Sequence, residues 1–436
     1  MAVASFNRKS FEAQIGKVTD ELLDKISLFG TPVESVSDDR VEVEVFPNRP
    51  DLLSLQGYIR AFKAFLGKSP GLKTYKVNSM EKDHYVTIDP SVRDVRPYTV
   101  CAVVHGLKFQ TEHIEELIEL QEKLHITMGR KRKKMAIGIY PLDKITFPIT
   151  FKALEPDKIK FIPLGMKDEL TGLQILQRHP TGKAYSDLLA GKSVFPVFID
   201  AKNKVLSMPP IINSEETGKI EESTKDVFVE CSGSDKESLN KALNIIATVL
   251  SEMGGKISAV EIRDGKTKIL TPNLAPKTMK INFENINKTI GLSLNEKEIK
   301  QALEKMGFEY KNKTVTIPAW RTDILHEIDI IEDIAIGHGY EKLTPEIPSV
   351  ATVGTNLQNL YSHQTDSVLV SGCQLTVITG LFDGNHSSLF IRIDAGKRFG
   401  LRHEAQHEAL EKLGFITFNQ TYIHLLIRKC DGVHAF

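Results

Sequence analysis

Apolar residues recur at helical spacing in several stretches of the chain, separated by short alternating or continuous apolar runs. Leu22, Leu23, Ile26 and Phe29 form one stripe that ends at Gly30, a natural helix stop. Residues 40–46 alternate Val41, Val43 and Val45 with Glu42 and Glu44, the pattern of a half-buried strand. A rigid Pro-Asn-Arg-Pro-Asp turn (47–51) leads into a second helix with Leu55, Ile59, Phe62 and Leu66 in register, closed by Gly67. A longer α/β segment runs from 90 to 263. Its pattern predicts a helix over 111–126, short strands at 136–139, 194–199 and 227–231, and a helix through Leu239, Leu243, Ile246 and Leu250. Ser234 and Glu237 predict that helix's capping box, Gly254-Gly255 its stop, and 257–262 a closing strand. Residues 271–276 read as a linker. Asn295 and Glu298 then predict a capped helix, followed by a strand at 315–320 and a helix over 324–336.

This order predicts a multidomain α/β (α+β) chain: an N-terminal α/β module over 1–75, a central domain over 90–263, a small winged-helix-like domain over 277–345 and an irregular tail over 356–436. The length of 436 residues agrees, being too great for one ordinary core. Composition marks the tail as different. Its last 81 residues carry only 14 charged side chains, yet hold six of the thirteen histidines.

Charge changes the picture little, because 56 basic residues balance 56 acidic ones. That balance argues against a nucleic-acid-coating protein while allowing a local basic surface. Four widely separated cysteines (Cys101, Cys231, Cys373, Cys430) form no CxxC pair, which excludes a zinc ribbon and a disulfide framework. No apolar run approaches the ~18 residues of a membrane span. The N-terminus, with Arg8, Lys9 and Glu12, does not read as a secretory signal, so a cytoplasmic location is expected.

The sharpest chemical pattern is WRTDILHEIDIIEDIAIGHGYEKL, residues 320–343. On a helix Asp329, Glu332 and Asp333 share one face, with Ile328, Ile331 and Ala335 opposite, and Asp323 can join from the entering turn. Clustered oxygens suit Mg²⁺; an acidic, solvated helix face is the alternative. Residues 130–134, Arg-Lys-Arg-Lys-Lys, are the densest basic run, open to a nucleic-acid backbone or to solvent alone. Gly191-Lys192-Ser193 ends like a P-loop, but Ser186 stands where its leading glycine belongs, so it is rejected. His403-Glu404-Ala405-Gln406-His407 matches HExxH, yet no third ligand follows, and chance in a histidine-rich tail is the better reading.

The chain resembles the β subunit of phenylalanyl-tRNA synthetase, archaeal/eukaryotic type, over residues 1–355. Three groups of residues carry the resemblance: FPNRPDLLSLQGYIRA (46–61), the strings RPYTVCAVVHGLKF and SMPPIINSEETGKIEESTKDVFVE in the central domain, and the acidic signature of Arg321, Asp323, Glu327, Asp329, Glu332, Asp333, Ile334, Ala335, Gly339 and Tyr340. The resemblance implies that 90–263 is an editing, tRNA-binding domain that hydrolyses tyrosine wrongly attached to tRNA(Phe). It further implies Mg²⁺ ligands at Asp323, Asp329, Glu332 and Asp333. It implies as well an α₂β₂ tetramer in which the α subunit uses ATP and phenylalanine to charge tRNA(Phe). Editing makes physical sense, since an apolar pocket rejects an isostere with one added hydroxyl only by about a hundredfold. The expected rim of the editing site is Asn213, Ser214 and Glu215, after the proline pair Pro209-Pro210; no nucleophile is identified. Residues 408–415 (EALEKLGF) echo only briefly the catalytic-like fold expected after residue 355, so a truncated or frameshifted gene product is expected, with a divergent extension as the alternative. A free-standing trans-editing hydrolase and a non-enzymatic RNA-binding or assembly protein remain as other readings.

Overall fold

The computed structural model describes residues 2–344 in full and, beyond them, five strands of a second unit. In the first unit, strand β1 (Ala2–Asn7), helices α1 (Arg8–Ile15) and α2 (Asp20–Leu28), strands β2 (Val33–Val36) and β3 (Arg40–Val45), and helix α3 (Leu55–Phe65) make the N-terminal module. The strands lie in the order β1-β3-β2, all antiparallel. Asn7, Thr19 and Ser54 each accept a backbone N–H at the start of a helix, so α1, α2 and α3 each open on a side-chain cap. Phe6, Phe11, Phe29 and Phe62 surround the buried Tyr58, whose hydroxyl lies 2.8 Å from Thr31 Oγ1.

The centre of the unit is a mixed sheet of eleven strands. It draws on β4 (Val77–Asn78), β5 (Tyr85–Ile88), β6 (Tyr98–His105), β7 (Met135–Pro141) and β8 (Ile149–Leu154). Helix α4 (Thr111–Ile126) falls between β6 and β7, as its spacing predicts. A lobe then follows with the strand pair β9 (Lys160–Phe161) and β10 (Leu170–Thr171) and helices α5 (Gly172–Arg178) and α6 (Pro180–Tyr185). The chain rejoins the sheet through β11 (Phe195–Ile199), β12 (Val205–Met208) and β13 (Ile212–Asn213), makes the short helix α7 (Glu215–Gly218), and returns as β14 (Val227–Gly233). Helix α8 (Lys236–Glu252) leads to β15 (Lys256–Asp264) and β16 (Thr267–Thr271). The order is β13-β12-β11-β8-β5-β15-β6-β14-β7, with β4 and β16 also paired to β15. β15 runs parallel to β5 and antiparallel to β6, so it joins the two halves of the sheet. Strands at 77–78, 85–88 and 267–271 therefore share the sheet of the 90–263 segment.

Helix α8 is buried nearly all round, with Ala242 through Leu250 all inaccessible or nearly so. Such a helix must be covered on both sides; the sheet covers one side and α3 of the N-terminal module the other. Its cap is Asp235, not the expected Ser234, because the Asp235 carboxylate accepts from the backbone of both Glu237 and Ser238.

The small domain comprises β17 (Lys277–Lys280), α9 (Phe283–Ile290), α10 (Glu296–Lys305), β18 (Glu309–Lys311), β19 (Thr314–Ile317) and α11 (Glu327–His338), with sheet order β17-β19-β18. Asn295 and Glu298 form the expected capping box of α10. Asn312 and Lys313 make the two-residue β18–β19 turn at φ +51° and +58°, the left-handed geometry that matches strand twist. Helices α10 and α11 approach so closely that a Cβ on Gly337 would lie 2.3 Å from the Ala302 carbonyl oxygen.

The second unit, residues 345–436, is described only through β20 (Thr365–Val370), β21 (Cys373–Phe382), β22 (His386–Asp394), β23 (Ile423–Lys429) and β24 (Gly432–Ala435), paired in that order. Strands thus occupy a segment for which an irregular tail was expected. Runs such as VLV and LTVI are rich in β-branched and apolar residues, which suit a pleated surface. His403–His407 and 408–415 lie outside the described residues. Among the described residues no helix is long and apolar enough to cross a membrane.

Gly337→Ala should destabilise the small domain by about 1–3 kcal/mol through overpacking against Ala302. Thermal unfolding followed by circular dichroism measures it; an unchanged melting temperature would show that the helix pair yields freely.

Candidate functional site

A cavity of ≈ 270 Å³ lies between α4 and the β7/β14 edge of the sheet. Its walls are mainly apolar: Ile114 and Leu117 from α4, Ile137 and Ile139 from β7, and the Pro209-Pro210-Ile211 segment after β12. The floor is polar. Tyr140 Oη donates to Ser207 Oγ at 2.8 Å and stands 3.3 Å from Glu230 Oε1 and 3.4 Å from Asn213 Oδ1. A Cβ on Gly138 would come 2.2 Å from the Tyr140 hydroxyl, so glycine at this position leaves room for that hydroxyl beside Glu230.

Glu230 is 2% exposed, and its Oε2 has no hydrogen-bond partner among the described residues. Burial pushes its carboxyl up to about 8, with the Arg96 charge drawing it part of the way back. Arg96 is buried too; desolvation lowers it to about 10, and its Nε donates to Ser232 Oγ at 3.0 Å. Burial likewise drives the Tyr140 phenol upward. The floor therefore keeps neutral, hydrogen-bonding oxygens at neutral pH.

At the rim, His125 Nε2 accepts the Ile137 N–H at 2.9 Å. That places its hydrogen on Nδ1, 3.2 Å from Glu122 Oε1. Desolvation raises Glu122, but the His125 hydrogen bond and the Arg132 charge outweigh it and hold the carboxyl at about 2. Arg132 NH2 donates to Glu122 at 2.6 Å, and its NH1 donates to the carbonyls of Pro210 and Ile211 at 3.2 and 2.8 Å. Within the basic run, then, Arg132 turns inward and braces the rim, helped by left-handed backbone at 130–132. Lys134 pairs with Asp235 at 3.1 Å, leaving Arg130, Lys131 and Lys133 exposed.

Of the three expected rim residues, only Asn213 reaches the cavity. Ser214 is buried in the turn, and Glu215 faces away, accepting the Gly165 N–H at 2.7 Å. Linear spacing does not mark Tyr140, Ser207, Glu230 and Arg96 as neighbours. One signal was legible: a glutamate inside the continuous apolar run VFVEC needs a reason to be buried.

The acidic residues gather in a second place, a cleft of ≈ 680 Å³ between the small domain and the N-terminal module. Asp323, Asp329, Glu332 and Asp333 line it together with Arg49 and Tyr340. Arg321 holds Asp323 through Nε and NH2 at 2.9 and 2.7 Å and reaches Asp333 Oδ2 at 2.5 Å. Asp333 is consequently 4% exposed, and Ile328, expected inside, is 54% exposed. The guanidinium draws Asp333 inward and turns the helix by that much. Burial raises the Asp333 carboxyl to about 6 against the pull of Arg321. Asp329 Oδ2 accepts the N–H groups of Leu325 and His326, both at 2.7 Å, while Glu332 is exposed and has no partner among the described residues.

As a four-ligand magnesium set these residues do not fit. Arg321 already serves two of them as counter-ion, and no three acidic, histidine or cysteine side chains among the described residues come close enough to hold an ion. Asp329 and Glu332 keep oxygens free for a cation.

Residues 279–340 match the model of the tRNA synthetase B5 domain. An N-terminal fragment of the phenylalanyl-tRNA synthetase β-subunit from Pyrococcus horikoshii superposes with a TM-score of 0.74 at 38% identity, covering 77% of this chain and 99% of that one. The chain belongs to the phenylalanine–tRNA ligase β-subunit family. The β subunit of Archaeoglobus fulgidus is 43% identical over 358 residues, 81% of this chain and 64% of the relative. That of Pyrococcus furiosus is 44% identical over 312 residues, 70% of this chain and 56% of the relative. The chain thus spans roughly three-fifths of the length of these β subunits.

Glu230 has a folded-state pKa above its unfolded value. Its contribution is fully present below about pH 4.5 and is lost as pH rises through about 8. Glu230→Gln should therefore gain stability over the parent progressively between pH 4.5 and 8. Melting temperatures across that range measure it; parallel curves for the two proteins would rule out Glu230 as the buried acid.

Proposed function

We propose that the chain serves as the non-catalytic, tRNA-supporting and editing subunit of a cytoplasmic phenylalanine–tRNA ligase. In this reading an α subunit supplies the site for ATP and phenylalanine in an α₂β₂ enzyme, and the ≈ 270 Å³ cavity clears tyrosine from mischarged tRNA(Phe). The observation that carries the editing claim is the polar floor beneath apolar walls. A tyrosyl ring enters between Ile114, Ile137 and Ile211, and its hydroxyl meets Glu230, Ser207 and Asn213. A phenylalanyl ring would leave Glu230 Oε2 without a partner, a penalty larger than that of one missing methylene.

The rim residues bind and position. His125 is neutral, with its Nε2 occupied by the backbone, so it is poorly placed to act as a general base. No nucleophile–base pair lies in the cavity, which favours attack by water on an ester held near the Pro209-Pro210 rim. Exposed Arg130, Lys131 and Lys133 lie near that rim in sequence with Arg132 and offer contacts to the tRNA backbone.

The test is hydrolysis of Tyr-tRNA(Phe) by the chain co-purified with a cognate α subunit. Asn213→Ala and Ser207→Ala should slow it by roughly tenfold or more, or admit Phe-tRNA(Phe) as substrate, each lost hydrogen bond being worth ~1–2 kcal/mol. Parent-like rates and selectivity in both variants would remove the cavity from the reaction. Activity without α would instead favour a free-standing editor, and tRNA binding without turnover an assembly role.

Mg²⁺ enters this proposal in a reduced form, held by Asp329 and Glu332 with water completing its shell, as suits a cation that keeps several waters. Bound there, it would neutralise the cleft; Asp323 and Asp333 stay with Arg321. Isothermal titration with MgCl₂ should give saturable binding that Glu332→Gln weakens about tenfold. Equal binding by the variant would place the ion elsewhere.

A further inference from the structure

A third cavity, ≈ 470 Å³, opens between the N-terminal module and the small domain, adjoining the acidic cleft through Arg49. Three arginines line it: Arg49, Arg60 and Arg321. Two of them use the same edge of the guanidinium to hold a carboxylate. Arg49 donates from Nε and NH2 to the two oxygens of Asp51, both at 2.9 Å, and Arg321 does likewise with Asp323. Arg60 presents the same Nε/NH2 edge, yet neither nitrogen has a hydrogen-bond partner among the described residues, and both are closed off from solvent. Among the described residues, its guanidinium's one hydrogen bond runs from NH1 to Tyr75 Oη at 3.1 Å.

The neighbouring charges do not compensate. Lys63, one turn along α3 and also lining the cavity, reaches only the amide oxygen of Gln14, at 3.1 Å. The two carboxylates in the lining are already engaged, Asp51 by Arg49 and Glu252 by Lys73 and Tyr75. Arg321, whose side chain is 3% exposed, contributes a further unpartnered NH1. What holds the Arg60 guanidinium is the face of Trp320, 4.3 Å away. Stacking on a ring leaves the in-plane donors of the fork unused.

We propose that this cavity is a binding site for a small phosphate-bearing ligand, gripped by the Nε/NH2 edge of Arg60 and neutralised by Lys63. A fork beside a second cation matches a tetrahedral, doubly charged oxyanion better than a planar, singly charged carboxylate. The volume accommodates a phosphate with a small organic substituent. Binding moves the guanidinium off the Trp320 face.

Trp320 is the single tryptophan of the chain, which makes its fluorescence a local reporter. The full chain is titrated with inorganic phosphate and with glycerol 3-phosphate at constant ionic strength, by tryptophan emission and by calorimetry, with acetate and citrate as controls. Saturable binding of the phosphate compounds is expected, weakened roughly tenfold by Arg60→Lys, which keeps the charge but loses the fork, and more mildly by Lys63→Gln. Circular dichroism establishes that both variants are folded; if Arg60→Lys is not, Lys63→Gln alone carries the test. Absence of saturable binding by both methods overturns the site. So does parent-like affinity in the folded variants, and citrate binding as tight as phosphate overturns the assignment to phosphate.

Discussion

The fold around the acidic cleft depends on one buried guanidinium. Arg321 sits between Asp323 and Asp333, and both carboxylates would be intolerable in that position without it. Breaking such a triad by losing one member is strongly destabilising, on the order of 3–5 kcal/mol, because a buried charge is left alone. Arg49 with Asp51 repeats the arrangement from the N-terminal module, so two like-charged guanidinium groups stand near one another, each with its own carboxylate. The Arg-x-Asp spacing is enough to close each fork within a single turn of chain. The same ion pairs set the rotation of α11, and through it which acidic side chains face solvent.

Much of this was legible in sequence where a local signal acts alone. The helix over 111–126 has the ends its periodicity predicts, and the Asn295–Glu298 box closes as read. Local reading failed where a distant partner decides. Asp333 was expected on an open acidic face as a magnesium ligand, but Arg321 draws it in, and Ile328, expected inside, turns outward for the same reason. Ser234 lost its cap to Asp235 because an adjacent carboxylate is the stronger acceptor for two backbone donors. The polar floor was hidden for a related reason. Tyr140, Ser207 and Glu230 come from three strands whose adjacency no linear spacing reveals, and only the charge inside VFVEC betrayed them.

The two polar centres are electrostatic opposites. In the central cavity burial outweighs the Arg96 charge, and the Glu230 carboxyl is pushed toward neutrality. In the acidic cleft Arg321 holds the Asp323 carboxyl below its ordinary value and limits the rise of buried Asp333 to about 6, while Glu332 remains at the surface. One environment gathers hydrogen-bonding groups of reduced charge, the other pins charged groups in pairs. Both effects follow from how many counter-charges lie within reach of each buried oxygen.

Strand β15 has a consequence for how the protein is made. It is the sole neighbour that joins β5 to β6 in the sheet, and it ends at Asp264, some 176 residues after β5 does. At translation rates of about 5–20 residues per second, the edges of β5 and β6 stand exposed for roughly 10–35 s before their partner leaves the ribosome. Unpaired strand edges are templates for aggregation. The N-terminal module, whose contacts close within its first 65 residues, can fold in that interval. The central sheet must wait, and it is in this waiting chain that chaperones would find their substrate.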